Sequence, residues 1–323
     1  MQTVSTRLTF DDRFGALKVR FGVGRMSYSV APGVYAVGKP NKSSPVLVSA
    51  NYKLTFDSLR KELSDVDCWL LILDTKGINV WCAAGKGTFG TNELIKRIAE
   101  TQLTEIVSHK TLILPQLGAS GINANEVKRQ SGFSVVYGTV RAKDIKTFLQ
   151  SGNKATEEMR TVTFRFLDRF VLTPMELIPA VQKSLYVFGV LFLLNLLAIK
   201  PFGVIDFIAY IGAVLAGTFV TPLLLPFIPG RAFSFKGGLV GLLWAVGVIW
   251  LSGWFNPFQW LLAIGYLLVL PSTSAYLAMN FTGSSSYTSP SGVLKEMKIA
   301  LPIMITSSVL GAVLIILSRI LGL

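Results

Sequence analysis

The sequence of 323 residues contains only two cysteines and one histidine. A four-thiolate iron–sulfur cluster and a metal site built from several histidines are therefore both excluded for this chain alone. The two cysteines do not predict a disulfide, because Cys68 lies in an apolar run typical of a buried strand and the first twelve residues carry no apolar export signal. We expect Cys68 to be a small buried side chain, and any electrons that the protein uses must come from another polypeptide.

Acidic residues are scarce in the C-terminal half, where only Glu176, Asp206 and Glu296 follow residue 170. The net charge of +13 does not predict nucleic-acid binding, because the basic residues are scattered rather than clustered on one element. Long apolar runs separate the few charged residues of this half in the sequence. Such runs predict membrane-spanning helices, which need about 20 mostly apolar residues each. The predicted spans are residues 184–199, 204–226, 237–254, 260–279 and 299–317. The first is short, and the fourth is interrupted at Pro271.

The distribution of basic residues between the predicted loops indicates an orientation in the membrane. The loops predicted inside carry Lys183, Arg231, Lys236, Lys295 and Lys298, whereas those predicted outside carry Lys200 and Arg319. This asymmetry predicts a multi-pass protein of the cytoplasmic (inner) membrane with its N-terminal domain in the cytoplasm. Asp206, the one acid within a predicted span, is compatible with an ion path or with a position at the membrane interface.

The N-terminal half alternates apolar strand-like runs with helical patterns. Strands are predicted at 45–49, 68–73, 111–114 and 133–137, and helices at 56–63, 92–107 and 142–150. This alternation predicts an α/β, Rossmann-like domain with a largely parallel sheet, in which ligands bind beyond the carboxyl ends of the strands. We expect this domain to cover residues 1–170, followed by a linker at 171–183 and an all-α transmembrane domain of about five helices at 184–323.

Candidate chemistry concentrates after the second predicted strand. Cys82 lies there among small residues, in Asn79-Val80-Trp81-Cys82-Ala83-Ala84-Gly85-Lys86. The neighbouring Gly85-Lys86-Gly87-Thr88 fails the phosphate-loop spacing, and no Gly-x-Ser-x-Gly nucleophile motif occurs. His109 is interpreted as a solvated cap at a helix end. From the residues alone, Cys82 can equally be structural or reactive, and residues 81–86 can be a helical turn or a loop.

The octapeptide resembles the signature of the mercury-methylation corrinoid protein family, whose members are anchored in a membrane. Segments at 45–53, 114–119 and 280–284 resemble further parts of that family. The N-terminal half is also similar to the corrinoid domain of the corrinoid iron–sulfur protein, the methyl carrier of acetyl-CoA synthesis. That relative lacks both the cysteine signature and the membrane half.

The first resemblance implies a metal-binding methyltransferase with a cobalamin-type corrinoid, in which the Cys82 thiolate is the catalytic lower axial ligand of cobalt. The residues implied to bind the corrinoid are Asn79, Val80, Trp81, Cys82, Ala83, Ala84, Gly85 and Lys86. It further implies methyl transfer from methyl-cobalt to mercuric ion, giving methylmercury.

The same resemblance implies a small ferredoxin-like iron–sulfur protein as electron donor and a methyl-folate-linked methyl donor. The alternative is a membrane-docked corrinoid methyl carrier of one-carbon metabolism with a different native acceptor. A transporter with a cytosolic ligand-binding domain is a third interpretation, and the scarcity of polar residues within the predicted spans speaks against it.

Overall fold

The computed structural model describes residues 2–254, 259–285 and 290–322. It divides into two compact units, Met1–Thr163 and Phe164–Leu323. The boundary predicted at residue 170 therefore lies inside the second unit.

A six-stranded sheet forms the centre of the first unit. Its strands are β1 (Gln2–Val4), β2 (Gly33–Val37), β3 (Val46–Ala50), β4 (Cys68–Leu73), β5 (Thr111–Leu114) and β6 (Ser134–Tyr137). Their order is β1-β2-β4-β3-β5-β6, and every neighbouring pair is parallel except β2 and β4. The prediction of an α/β domain with a largely parallel sheet is confirmed.

Helices cover both faces of this sheet. They are α1 (Phe10–Arg20), α2 (Lys53–Arg60), α3 (Val80–Lys86), α4 (Thr91–Glu100), α5 (Leu103–Ile106), α6 (Ala124–Ser131), α7 (Ile145–Gln150) and α8 (Glu157–Arg160). Leu70 packs with the cluster that includes α2 and α7, and its neighbour Leu71 packs with the cluster that includes α3, α4 and α6. Successive strand residues alternate between faces, so β4 is apolar throughout. Each fully buried leucine contributes about 1.5–3 kcal/mol.

The helix predicted at 92–107 is interrupted in the structure. Gln102 has a φ of 48°, a left-handed conformation that cannot continue a right-handed helix, so α4 ends at Glu100 and α5 begins at Leu103. His109 follows α5 in the turn before β5 and does not cap a helix. Its Nε2 lies 2.9 Å from the Ser44 carbonyl oxygen, and its Nδ1 accepts a hydrogen bond from the Thr111 amide at 3.2 Å. The ring therefore joins two turns of the backbone.

The second unit is helical. Its helices are α9 (Phe166–Leu194), α10 (Val204–Leu215), α11 (Thr221–Leu224), α12 (Phe233–Leu251), α13 (Trp260–Asn280) and α14 (Pro290–Leu321). A π-helical segment at Ala216–Val220 joins α10 to α11. Among the described residues, five helical stretches are long and apolar enough to cross a membrane, which confirms the predicted number by length and composition. Small residues allow these helices to approach closely, as at Gly265 against Gly311.

The first long helix departs from the prediction. It begins at Phe166, so residues 171–183, predicted as a linker, are helical. Pro174 lacks the amide that would bond to the Phe170 carbonyl, but the Thr173 hydroxyl donates to that oxygen at 2.8 Å. The freed acceptor is thereby satisfied and the helix continues. The predicted interruption at Pro271 is likewise absent, because α13 runs through it.

Asp206 has structural partners within the second unit. Its Oδ2 accepts a hydrogen bond from the Gly203 amide at 2.7 Å and so caps the start of α10. Its Oδ1 forms an ion pair with Arg319 at 2.5 Å and accepts a hydrogen bond from the Tyr266 hydroxyl. Because the carboxylate is buried, this pairing provides the compensation that a buried charge requires.

Candidate ligand site at the carboxyl edge of the sheet

A cavity of about 410 Å³ lies at the carboxyl ends of β3 and β5 in the first unit. These neighbours stand where the strand order reverses direction, because the chain leaves β3 towards β4 on one side and returns to β5 on the other. Open α/β sheets bind ligands at such a switch point. The sequence predicts a ligand site at the carboxyl ends of the strands, and the structure has a cavity there.

Apolar side chains from five segments dominate the cavity wall. They include Leu47 and Val48 of β3, Leu54 and Leu59 of α2, Val80 and Trp81 of α3, Ile113 and Leu114 of β5, and Ile145 of α7. Polar groups are fewer: the charged Arg20 and the uncharged Ser49, Tyr52, Thr55, Ser58, Asn79 and Thr139. A mostly apolar wall with a small set of polar groups is typical of a cofactor site.

Asn51 fixes the loop that leads from β4 into α3. Its Oδ1 accepts hydrogen bonds from the amides of Thr75 at 3.1 Å and Gly77 at 3.0 Å. The Thr75 hydroxyl lies 2.6 Å from the Ile78 carbonyl oxygen. Asn51 is buried, so these bonds exchange little with water. Its position beside a predicted strand end is the only sequence signal that could have identified it.

Helix α3 contains most of the octapeptide, which settles the open question of helix or loop in favour of a helix. Asn79 is its N-cap and accepts a hydrogen bond from the Cys82 amide at 2.9 Å. Gly87, with a φ of 79°, ends the helix in the left-handed conformation that glycine adopts readily. Seven residues between two strong end signals therefore suffice for a short helix.

The helix divides the predicted site residues between two faces. Val80, Ala83 and Ala84 are buried, as spacings of three and four residues on a helix require. Trp81, Gly85 and Lys86 are exposed, and Cys82 is half-buried between these faces.

The structure thus brings only part of the octapeptide to the cavity. Asn79, Val80 and Trp81 line it, whereas Ala83 and Ala84 pack into the core of the unit instead. Cys82, Gly85 and Lys86 lie outside the cavity lining, on the exposed side of α3.

Two glycines hold α3 close to the turn that follows β5. A Cβ added to Gly121 would overlap the Phe89 carbonyl oxygen and lie 3.1 Å from the Ala84 Cα. A Cβ added to Gly118 would overlap the Phe89 ring. Only small residues at position 84 and at the two glycine positions therefore allow α3 and Phe89 to pack against the turn after β5. By contrast, a Cβ added to Gly85 would meet nothing within 4 Å, so neither packing nor backbone conformation requires glycine there.

One buried polar atom beside the cavity has no partner. Gln116 lies between the cavity-lining residues Pro115 and Leu117, and its Oε1 is buried without a hydrogen bond among the described residues. An unsatisfied buried acceptor is costly, about 1–3 kcal/mol.

The two cysteines differ in their surroundings. Burial raises the pKa of the Cys68 thiol to about 12, and the charge of Asp67 adds to the effect. Cys68 is fully buried in β4, which confirms its prediction as a small core side chain. In the part of the chain that the structure describes, no three His, Cys, Asp or Glu side chains cluster to form a metal site. A metal at Cys82 would therefore have to arrive with its other ligands.

Comparisons with known proteins find similarity in the first unit to subunits named for CO dehydrogenase and acetyl-CoA synthase. Residues 20–149 match the family described as CO dehydrogenase/acetyl-CoA synthase delta subunit. The chain is 36% identical over 129 residues to the acetyl-CoA decarbonylase/synthase complex subunit gamma of Methanopyrus kandleri, covering 39% of this chain and 27% of that protein. The same subunit of Methanocaldococcus jannaschii is 34% identical over 129 residues, with 39% and 26% covered. The chain thus spans about a quarter of the length of these relatives.

These comparisons correct the family assignment made from the octapeptide. The assignment to the mercury-methylation family is wrong, because the family and the relatives that match all carry names of the CO dehydrogenase and acetyl-CoA synthase system. The octapeptide and three short segments are a small sample of the chain, whereas the family match extends from residue 20 to residue 149. The names mention neither mercury nor a folate, and they favour the alternative, a carrier of one-carbon metabolism.

Proposed function

We propose that the first unit binds a cobalamin-type corrinoid and that the chain is a membrane-docked methyl carrier of one-carbon metabolism. The cavity at the switch point of the sheet, bordered by the helix that carries Cys82, is the observation on which the proposal rests. A bound corrinoid supplies a cobalt ion that can hold a methyl group between donor and acceptor. The similarity to subunits of the acetyl-CoA decarbonylase/synthase complex supports this role.

The residues present fit such a cofactor. A corrinoid is a flat macrocycle with an apolar face and carboxamide groups at its edge. Trp81 and the aliphatic side chains of the cavity can pack against the face, and the few polar side chains of the cavity wall can hydrogen-bond to the carboxamides. The space next to Gly85 on α3 is also open, because no atom lies within 4 Å of the position of an added Cβ, so a flat ligand could lie along the helix there.

Cys82 is the side chain we assign to the cobalt. Sulfur is a soft ligand, and a thiolate at Cys82 would alter the reactivity of a bound corrinoid's metal. The N-cap at Asn79 fixes the first turn of α3, and the packing of Ala84 against Gly121 holds the helix in place. These contacts pre-position the Cys82 thiol without occupying it. The fully buried Cys68 provides the matched control.

The remaining chain and its partners complete the proposal. The five apolar helices would anchor the protein in the cytoplasmic membrane, with the first unit in the cytoplasm. Because the chain has two cysteines, an iron–sulfur protein would be the electron donor. The relatives are subunits of a complex by name, which supports a role that depends on partner polypeptides.

A cavity-blocking substitution tests the binding. The full chain, purified in detergent, is dialysed against hydroxocobalamin, and bound corrinoid is measured by absorption. Ser58→Trp places an indole on the cavity wall and should reduce the affinity at least about 10-fold. Lys61→Trp, just beyond α2 and outside the cavity lining, is the control and should bind as the wild type does. No binding by the wild type, or equal binding by Ser58→Trp, would overturn the proposal.

A further inference from the structure

Arg20 is the only charged residue among those that line the cavity. It lies at the end of α1, and its side chain is partly buried. No carboxylate lines the same cavity, and no ion pair joins Arg20 to an acid among the described residues. A guanidinium without a counter-charge at the edge of a mostly apolar cavity is suited to an anionic group of the ligand.

Arg20 acts through its charge on a second residue of the cavity wall. The buried Tyr52 lines the same cavity, and burial raises the pKa of its hydroxyl, while Arg25 and Arg20 act in the opposite direction because they stabilise the phenolate. Arg20 is thus close enough to the Tyr52 hydroxyl, on the same cavity wall, for its charge to act there.

The helix that carries Arg20 is fixed by an ion-pair cluster. Asp12 of α1 contacts Lys53 at 2.5 Å and Arg60 at 2.7 Å, both on α2. Asp57 neutralises the same two cations at 2.7 Å each. Arg60 is buried, and its guanidinium also donates to the Ser5 carbonyl oxygen. Because α1 is tied to a helix that forms the cavity wall, Arg20 keeps its position at the cavity.

We propose that Arg20 binds the phosphodiester of the nucleotide loop that a complete corrinoid carries. The inference rests on the proposed corrinoid binding and adds the part of the ligand that this residue recognises. The fork of the guanidinium matches two phosphate oxygens, and a charge-assisted hydrogen bond is stronger than a neutral one. Arg20 therefore selects corrinoids with a phosphate over those without one.

Three probes separate the contribution of the phosphate from that of the rest of the ligand. Cobalamin carries the complete nucleotide loop, cobinamide phosphate carries the phosphate alone, and cobinamide carries neither. Affinities are measured by equilibrium dialysis with the full chain in detergent, for the wild type, Arg20→Ala and Arg20→Lys. Arg13→Ala is the matched control, because Arg13 lies on the exposed side of the same helix and outside the cavity lining.

We expect Arg20→Ala to bind cobalamin and cobinamide phosphate about 10- to 100-fold more weakly, and cobinamide within about twofold of the wild type. Arg20→Lys should recover part of the affinity, since it keeps the charge but not the fork. Arg13→Ala should leave all three affinities unchanged. An equal loss for all three probes, or no loss for any, would overturn the role of Arg20. Failure of the wild type to bind any corrinoid would instead refute the proposed function.

Discussion

Two glycine substitutions around α3 should have opposite effects on the stability of this helix. In Gly121→Ala, the new methyl group overlaps the Phe89 carbonyl oxygen and crowds the Ala84 Cα at 3.1 Å. Both obstacles are backbone atoms, so the turn and α3 must move apart, and overpacking of this kind costs about 1–3 kcal/mol. In Gly85→Ala, the methyl group enters open space, and replacing a helical glycine by alanine stabilises by about 0.5–1 kcal/mol.

Hydrogen exchange of the full chain in detergent measures both effects locally. A tenfold change in exchange corresponds to about 1.4 kcal/mol. Peptides that cover residues 79–89 should exchange about 5- to 150-fold faster in Gly121→Ala and about 2- to 5-fold slower in Gly85→Ala. Strands such as β4 serve as the internal reference and should not change. Unchanged or slower exchange in Gly121→Ala would refute the close packing of α3 on the turn after β5.

Two further predictions concern the first unit. Partial burial opposes ionisation of Asp12, but hydrogen bonds from Lys53, the Thr9 amide and Arg60 outweigh it and hold the pKa of Asp12 well below its usual range. The ionised Asp12 carboxylate therefore stabilises the folded first unit fully above about pH 4, and this stabilisation is lost as the pH falls through the lowered pKa of Asp12. Pepsin should cut within residues 1–24 of the wild type faster as the pH falls from about 4 to 2, relative to an unstructured reference peptide. Asp12→Asn should be cut rapidly throughout, and a wild type without this dependence would contradict the role of Asp12. His109→Ala loses the ring contacts with Ser44 and Thr111, so exchange should rise at residues 42–46 and 109–112 while corrinoid affinity stays within about twofold. A larger loss of affinity would show that His109 acts on the ligand.

The parts of the fold that could be predicted from the sequence are those in which one local signal decides the outcome. β3, β4 and β5 are apolar runs buried on both faces. The five long apolar stretches of the second unit predict helices by their length. β1 and β2 were missed, because neither is an apolar run buried along its whole length: β1 has three residues and none of them is buried, and the first two residues of β2 are only partly buried. Such strands gain their stability from pairing, and pairing cannot be predicted from the strand itself.

The first long apolar helix shows why local rules fail elsewhere. Residues 171–183 were predicted as a linker, yet the helix continues through them and through Pro174 and Pro179. A threonine hydroxyl replaces the missing backbone bond at Phe170, and this compensation depends on side-chain geometry that a composition rule does not contain.

The candidate site was predictable in its location and only partly in its members. The edge of the sheet followed from the order of strands and helices, and of the predicted octapeptide only Asn79, Val80 and Trp81 line the cavity. Which residues of the octapeptide face the core depends on whether residues 81–86 form a helix or a loop, and the sequence alone does not decide this. In helix α3, Ala83 and Ala84 face the core and Trp81 is exposed. Arg20 comes from a helix far upstream in the chain, so only the tertiary structure could bring it to the cavity.

The most direct test of the central claim is the electron paramagnetic resonance spectrum of the full chain loaded with cob(II)alamin. A nitrogen axial ligand splits the cobalt hyperfine lines because its nucleus has spin, whereas the common sulfur nucleus has none. We predict a wild-type spectrum without nitrogen splitting, an altered spectrum for Cys82→Ala, and an unaltered one for Cys68→Ala. Nitrogen splitting in the wild type, or identical spectra for the wild type and Cys82→Ala, would contradict the assignment of Cys82 as the ligand of cobalt.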